Sequence, residues 1–169
     1  MVSEDVTARV RSYIQHQATK PNDVLAGIVA DAQARLLDTL SRHDATDAAR
    51  KPAPDEWSLR ELLRHVVSAE AGVAAMVGRL GRGETSDGVR GTGSMIEDDA
   101  TYDALLARLR ETNEQLLAAI RAIPAAAPLD VKSAHPFFGD LNCREWAAFQ
   151  KVHDEDHIQH AEKIVATWA

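Results

Sequence analysis

The most informative segment of the chain reads Asn142-Cys-Arg-Glu-Trp-Ala-Ala-Phe-Gln-Lys-Val-His-Asp-Glu-Asp-His-Ile-Gln-His160. Asn142 and Glu145 form a capping box, in which each side chain can accept a hydrogen bond from the other residue's backbone amide. Apolar or histidine side chains follow at spacings of three and four, which is typical of one helix face. The segment therefore predicts a helix that runs from residue 142 to about residue 167.

Two histidines lie on the apolar face of this predicted helix. His153 and His157 are one helical turn apart, so their imidazoles can reach one point. Burying an imidazole without a partner costs about 1–3 kcal/mol, and a metal ion is a partner that both rings can share. His65 lies on the apolar face of another predicted helix and is the natural third ligand. Three nitrogen ligands with an open position are typical of a catalytic metal site.

This histidine pattern could also arise in a metal-free protein or in two further classes of metalloprotein, and each requires particular residues. In a metal-free protein, the acidic residues 154–156 would hydrogen-bond the buried imidazoles. A zincin needs His-Glu-x-x-His, but Asp154 follows His153. A ferritin-like di-metal site needs Glu three residues before a histidine. Asp154 before His157 is a near miss, whereas Gln150 before His153 and Leu62 before His65 do not match. The zincin and di-metal patterns are therefore both broken.

The rest of the chain also reads as helical, and no strand is predicted because alternating β-branched runs are absent. A short amphipathic segment covers residues 4–18, and Asn22 is the expected N-cap of a helix over residues 22–43. Further helices are predicted from a capping box at Ser58 to about Leu80, and over residues 99–122. Four long helices with long connections predict an all-α four-helix bundle with a short extra N-terminal helix.

The 169 residues are expected to form a single domain, 1–169, in which residues 1–20 are an N-terminal extension. Residues 78–97 contain six of the nine glycines and predict a long loop. Its segment from Gly88 to Gly93 resembles a phosphate-binding loop only faintly. No strand precedes that segment and no Gly-Lys-Ser/Thr follows it, which favours an ordinary loop.

The composition and charge of the chain limit which binding partners and which cellular compartment we expect. The formal charge is −7, and the 19 basic residues are scattered, so nucleic acid is not an expected partner. No apolar run approaches the length of a membrane span, and the polar, acidic N-terminus is unlike a signal peptide. The single cysteine, Cys143, excludes an internal disulfide and reads as a tolerated residue rather than a nucleophile. We therefore expect a cytoplasmic protein without a membrane partner.

Two segments of the chain read Asp55-Glu-Trp-Ser-Leu-Arg-Glu-Leu-Leu-Arg-His65 and His135-Pro-Phe-Phe-Gly-Asp-Leu-Asn-Cys-Arg-Glu-Trp146, the second followed by His153-x-x-x-His157-x-Gln159. Both segments resemble the DinB-like (DinB/YfiT) superfamily of metalloenzymes. The spacing agrees over about residues 22–167. The acidic residues between the two later histidines and the N-terminal extension depart from the family pattern, but neither departure affects a ligand position.

The resemblance implies an up-down-down-up four-helix bundle in which His65, His153 and His157 hold a divalent metal. It also implies an open coordination position facing a pocket, and a homodimer. Family members of known activity include thiol-dependent transferases and isomerases that use mycothiol, bacillithiol or glutathione. No residue of this chain identifies a particular thiol.

The predicted function is a metalloenzyme acting on a small-molecule substrate, either a thiol-dependent S-transferase or isomerase or a hydrolase. The expected cofactors are a divalent metal (zinc, nickel or iron) and, for the transferase, a low-molecular-weight thiol. The alternative is a non-catalytic bundle that metal only stabilises, acting as a stress or interaction module. An open site facing a pocket favours the enzyme, whereas a fourth protein ligand or a sealed site favours the alternative.

We also predict roles for the residues around the three expected ligands. Ligand histidines usually donate their second N–H to a polar neighbour. The candidates for that role are Glu61, Glu70, Asp156 and Gln159, each of which could equally be a solvated helix residue. Side chains expected in the core are Trp57, Trp146 and Phe149. The histidines expected outside the site are His16, His43, His135 and His160.

Overall fold

The computed structural model describes residues 4–85, 96 and 99–168. These residues form six helices and one hairpin. In chain order they are α1 (Glu4–Ala18), α2 (Asn22–Ser41), α3 (Ala45–Ala48), α4 (Leu59–Gly81), α5 (Tyr102–Arg121), β1 (Ser133–His135), β2 (Gly139–Leu141) and α6 (Cys143–Ala166). Residues 88–93, with their faint likeness to a phosphate-binding loop, lie outside the described residues.

The long helices α2, α4, α5 and α6 form a four-helix bundle with two buried apolar clusters, one at each end. One cluster joins the first halves of α4 and α5 to the last halves of α2 and α6, and the other cluster joins the opposite halves. Helices α4 and α5 are therefore parallel to each other and antiparallel to α2 and α6. This is the expected up-down-down-up arrangement. Consecutive helices α2 and α4 lie diagonally across the bundle, as do α5 and α6.

Both predicted capping boxes are confirmed, and they fix the starts of the two helices that carry the histidines. The Ser58 backbone N donates to Glu61 Oε2 at 2.8 Å, and the Glu61 backbone N donates to Ser58 Oγ at 3.2 Å. The Asn142 backbone N donates to Glu145 Oε2 at 2.9 Å, and the Glu145 backbone N donates to Asn142 Oδ1 at 3.0 Å. Each box satisfies amide groups that a helix start leaves without intrahelical partners.

The prediction that the chain contains no strand is wrong. Strands β1 and β2 pair antiparallel, with Ser133 opposite Leu141 and His135 opposite Gly139. Each strand has three residues, too few to show the alternation by which strands are recognised. Gly139 adopts a φ of 71°, a conformation that glycine accepts readily.

Two helix ends also differ from the prediction. Asn22 is not an N-cap: its side chain donates to the backbone oxygens of Arg121 and Ile123 and accepts from Arg144. Asn22 thus links α2 to the end of α5 and the start of α6, a tertiary role that local sequence does not reveal. Helix α4 continues to Gly81, so residues 78–81 of the predicted glycine-rich loop are helical. The short helix α3 was not predicted; Asp44 caps its N-terminus.

The extra N-terminal helix is confirmed as α1, which packs against α6. Ile14 of α1 is fully buried in one of the two apolar clusters. The Arg144 guanidinium donates to the backbone oxygens of Ala18 and Lys20 and so ties the end of α1 to the start of α6. Among the described residues, no helix has the length and apolar character needed to cross a bilayer.

A buried polar layer, here called the bundle waist, separates the two apolar clusters. Each of the four helices contributes at least one side chain to it: Gln33 from α2, Glu70 from α4, Thr112 from α5, and Gln150 and Asp154 from α6. Each of these residues is at most 3 % exposed. Glu70 accepts hydrogen bonds from the Gln33 amide and, at 3.0 Å, from the Thr112 hydroxyl. The waist therefore joins α2, α4 and α5 through one carboxyl group.

Candidate metal centre

The structure brings His65, His153 and His157 together beside the waist. One nitrogen from each imidazole lies within 4.8 Å of the others. The two Nε2 atoms of His153 and His157 are 3.1 Å apart. The ring centroid of His65 is 5.5 Å from that of His153 and 4.9 Å from that of His157. Helices α4 and α6 thus aim three imidazoles at one small volume.

This geometry fits a metal ion. Two imidazole nitrogens at about 2.0–2.1 Å from a tetrahedral metal would lie about 3.3 Å apart. The observed separation of 3.1 Å between the two Nε2 atoms is close to that value. Among the described residues, the cluster contains these three histidines and no fourth Cys, His, Asp or Glu. The donor set is therefore three nitrogens with room for a further ligand.

The surroundings keep the three imidazoles neutral. Burial, followed by the positive charges of His153 and His160, lowers the pKa of His65 to about 4. Burial likewise lowers the pKa of His153 to about 4, although the charge of Asp156 opposes the shift. The pKa of His157 falls further, to about 2, through burial and then the charges of neighbouring histidines. Neutral imidazole is the form that binds a metal, so protons do not compete at neutral pH.

An aspartate that the sequence prediction did not place in the site lies behind His153. Asp154 is 1 % exposed, and its Oδ1 atom is 3.6 Å from His153 Nδ1. The Gln150 side-chain amide donates to the same Oδ1 atom at 2.7 Å. Sequence reasoning considered this acid as a histidine partner in a metal-free protein and in the broken zincin and di-metal patterns, but not as a partner of a metal ligand. A usable signal existed, because Asp154 lies four residues after Gln150 and four before Ile158 on the inward helix face.

The four side chains proposed as histidine partners lie elsewhere. Glu61 completes the α4 capping box and pairs with Lys51 at 2.8 Å. Asp156 and Gln159 are exposed on α6. Glu70 lies in the waist, where its oxygens accept from α2 and α5. Burial, and then the charge of Asp154, raises its pKa.

A pocket of about 620 Å³ opens beside His157. Its walls are formed by Pro52, Asp55, Glu56, Trp57, His157, His160, Lys163, Ile164 and Thr167. The Trp57 indole is 39 % exposed and lies 5.1 Å from the His65 ring and 5.8 Å from the His160 ring. Trp57 was expected in the core, and that prediction is wrong because the residue precedes the cap of α4 and stays outside the helix. Trp146 and Phe149 are buried as predicted.

The remaining histidines lie outside the three-ring cluster, although two are close to it. His160 lines the pocket, with its ring centroid 6.2 Å from that of His157. His135 is buried against Phe149, whose ring in turn lies 5.7 Å from the His153 ring. His135 Nδ1 accepts from the Phe137 backbone N at 3.1 Å, which fixes the turn of the hairpin.

Three further residues with predictions of their own lie away from the pocket. His16, predicted at the surface, is exposed on α1. His43 was also predicted at the surface, but it is partly buried and packs its ring edge-on against Trp168 at 5.1 Å. Cys143 is fully buried, and burial raises the pKa of its thiol, as expected for a residue without a nucleophilic role.

The family model described as the DinB superfamily matches residues 29–161. The chain belongs to the DinB superfamily. This agrees with the resemblance seen in the sequence segments around the three histidines. A comparison with curated proteins gives no significant match.

Two solved structures share the fold of this DinB-superfamily chain. TT2238, a four-helix bundle protein, is 22 % identical with a TM-score of 0.59; the match covers 82 % of this chain and 98 % of that one. YfiT from Bacillus subtilis, described as a probable metal-dependent hydrolase with an unusual four-helix bundle topology, is 15 % identical with a TM-score of 0.68. That match covers 85 % of each chain.

Proposed function

We propose that this protein is a metal-dependent enzyme that acts on a small molecule and uses His65, His153 and His157 as metal ligands. The observation that carries this proposal is the convergence of three neutral imidazoles beside a pocket. A divalent metal held there would lower the pKa of a bound water or thiol near neutrality. The reaction is hydrolysis or a thiol-dependent transfer or isomerisation.

Two features favour catalysis over a purely structural metal. Structural zinc sites are closed by four protein ligands, whereas the described residues of this cluster supply three. The pocket reaches His157 and has a volume typical of small-molecule sites. The description of YfiT as a probable metal-dependent hydrolase supports the hydrolytic version of the proposal.

The pocket wall combines an exposed aromatic face with charges of both signs. Trp57 offers its indole to an apolar or planar part of a substrate. Lys163 lies in the same wall as the acidic side chains of Asp55 and Glu56. These groups suit a polar small molecule. A cytoplasmic location and a homodimer remain predictions from the sequence and the family resemblance.

The three-nitrogen donor set restricts the metal to a class of ions that imidazole binds well. Three imidazole nitrogens suit zinc, nickel and iron(II). The proposal is tested by loading untagged, metal-free protein with each of these ions and measuring bound metal after desalting. We expect one ion per wild-type chain and almost none in His157→Ala. His16→Ala, which removes an exposed histidine of α1, is the matched control and should bind like wild type.

Wild-type protein without stoichiometric metal would contradict the proposal. If metal binds, thermal unfolding with a panel of low-molecular-weight thiols, and hydrolysis of a panel of small esters and amides, separate the reaction classes. Thiol-dependent stabilisation favours the transferase or isomerase, and ester or amide turnover lost in His157→Ala favours the hydrolase. A metal-loaded protein that responds to neither panel favours the non-catalytic bundle.

A further inference from the structure

We propose that Asp154 is the positioning residue of this metal centre, accepting the Nδ1 proton of His153 and so directing His153 Nε2 toward the metal. The inference rests on the proposed metal centre but names a residue outside the three ligands. Ligand histidines generally need such an acceptor, because the hydrogen bond fixes both the tautomer and the orientation of the ring.

The ring geometry determines which His153 nitrogen needs the acceptor. His153 Nε2 faces His157 Nε2 at 3.1 Å, so with a metal bound between the rings Nε2 would be the ligand atom and Nδ1 would carry the proton. The Asp154 Oδ1 atom is 3.6 Å from that Nδ1, slightly longer than a hydrogen bond, so the two groups would have to move closer when metal binds. The Gln150 amide nitrogen is 3.5 Å from the same Nδ1, but it is itself a donor and cannot accept. Asp154 is therefore the candidate acceptor on this side of the ring.

The isolation of the Asp154 carboxylate supports a role toward a positive charge. Its Oδ1 atom accepts from Gln150, whereas its buried Oδ2 atom has no hydrogen-bond partner among the described residues. Glu70, the other buried acid of the waist, instead accepts from both Gln33 and Thr112. Burial raises the pKa of Asp154, because a buried carboxylate with so few partners is costly. A divalent metal held by His153 would offset that cost by charge attraction.

The chain supplies a matched control within the same acidic run. Asp154, Glu155 and Asp156 are consecutive, but they face different surroundings. Glu155 pairs with Lys151 at 2.7 Å and with Arg35 at 3.3 Å near the surface. Asp156 is exposed, although its charge still acts on His153. Removing the charge at Asp156 therefore tests the general field near the site, and removing it at Asp154 tests the oriented acceptor.

The test compares Asp154→Asn with Asp156→Asn in chelator-competition titrations with Zn²⁺ and in Co²⁺ absorption spectra. We expect Asp154→Asn to weaken Zn²⁺ binding about 10- to 100-fold and to change the Co²⁺ spectrum, because a neutral acceptor holds the ring less firmly. Asp156→Asn should stay within about threefold of wild type with an unchanged spectrum, since exposed charges are screened. Without metal, Asp154→Asn should be about as stable as wild type, because Asn keeps the shape of the side chain and an oxygen that accepts from the Gln150 amide.

A loss of metal affinity at unchanged metal-free stability distinguishes positioning from damage to the fold. Equal Zn²⁺ affinity in Asp154→Asn and wild type overturns the inference, as does a loss of affinity accompanied by an equal loss of metal-free stability. If Asp154→Asn does not fold, Gln150→Ala is the second test. This substitution removes the amide that holds the Asp154 carboxyl group in place and should weaken Zn²⁺ binding several-fold. Unchanged affinity in Gln150→Ala also overturns the inference. A wild type that binds no metal instead contradicts the proposed function itself.

Discussion

The histidine cluster and the Glu70 side of the bundle waist bury polar groups in contrasting ways. Glu70 is enclosed by donors that α2 and α5 supply, so that side forms its own hydrogen-bond network. The imidazoles of His65, His153 and His157 converge on one another instead, and the buried His157 Nδ1 has no partner among the described residues. A buried group with local partners holds the fold together, whereas buried groups aimed at one shared point indicate a ligand.

The largest effect that would test this contrast is the loss of metal in His65→Ala. His65 is the proposed ligand from α4, and its removal leaves the two α6 histidines, which alone would bind a metal poorly. We expect Zn²⁺ affinity to fall at least about 1,000-fold, or about 4 kcal/mol of binding free energy. Metal-free stability should change far less, because His65 is only partly buried.

Competition with a chelator and urea unfolding in the absence of metal measure the two quantities for His65→Ala. His16→Ala again serves as the control. Retention of wild-type Zn²⁺ affinity in His65→Ala would show that α4 contributes no ligand.

Glu70→Ala should show the reverse pattern. The substitution leaves the Gln33 amide and the Thr112 hydroxyl without their acceptor and opens a cavity between helices. We expect the free energy of unfolding to fall by about 3 kcal/mol. Zn²⁺ affinity should remain within about threefold of wild type, since the hydrogen bonds described for Glu70 go to Gln33 and Thr112 and not to the imidazoles. A large loss of metal affinity at unchanged stability would show that Glu70 acts on the histidine cluster rather than only on the fold.

The pH dependence of stability provides a third, smaller test. Burial, and then the charge of Asp154, raises the pKa of Glu70 from 4.5 to about 8. The folded protein therefore holds a proton that the unfolded chain loses. This stabilising contribution is complete below about pH 4.5 and disappears as pH rises toward 8.

Glu70→Gln cannot lose that proton, so its stability relative to wild type should increase from pH 5 to pH 8. The increase should reach at most about 1.4 kcal/mol per pH unit. Urea unfolding of both metal-free proteins at pH 5, 6.5 and 8 measures it. The histidines are common to both proteins and cancel in the comparison. Parallel pH profiles would indicate that Glu70 is ionised throughout.

Thr112→Val should give the smallest effect. The variant keeps the shape of the side chain but removes the hydroxyl that donates to Glu70 Oε2 at 3.0 Å. We expect a loss of about 1 kcal/mol in unfolding free energy with unchanged metal affinity. Thr39→Val is the control, because the Thr39 hydroxyl only donates back to the Arg35 carbonyl one turn earlier. Equal losses in both variants would show that the hydrogen bond to Glu70 stabilises the fold no more than the local hydrogen bond of Thr39 does.

The helices and the three converging histidines were predictable because both depend on short-range spacing. The capping boxes at Ser58 and Asn142 mark helix starts in four consecutive residues, and the positions of His153 and His157 follow from helical periodicity. The placement of His65 across the bundle required the assumption that two apolar helix faces pack together. That assumption holds because both faces are otherwise buried.

The features that were missed depend on partners distant in sequence. Trp57 looks like a core residue by composition, but its place before the α4 cap leaves it at the pocket wall. Asn22 has the chemistry of an N-cap, yet it bonds to α5 and α6. Asp154 is the exception, because its partners Gln150 and His153 are close in sequence and the phase of the helix distinguishes it from Asp156. For Trp57 and Asn22, tertiary contacts override the local pattern.

The diagonal placement of consecutive helices also affects how the protein folds. Helix α2 packs against α5 and α6, which come later in the chain, so many native contacts join distant segments. Such topologies fold more slowly than bundles of adjacent hairpins. During synthesis, which proceeds at about 5–20 residues per second, α2 and α4 emerge well before α6. Their apolar faces cannot be fully buried until the last helix is made. The histidine cluster can assemble only once that helix has left the ribosome.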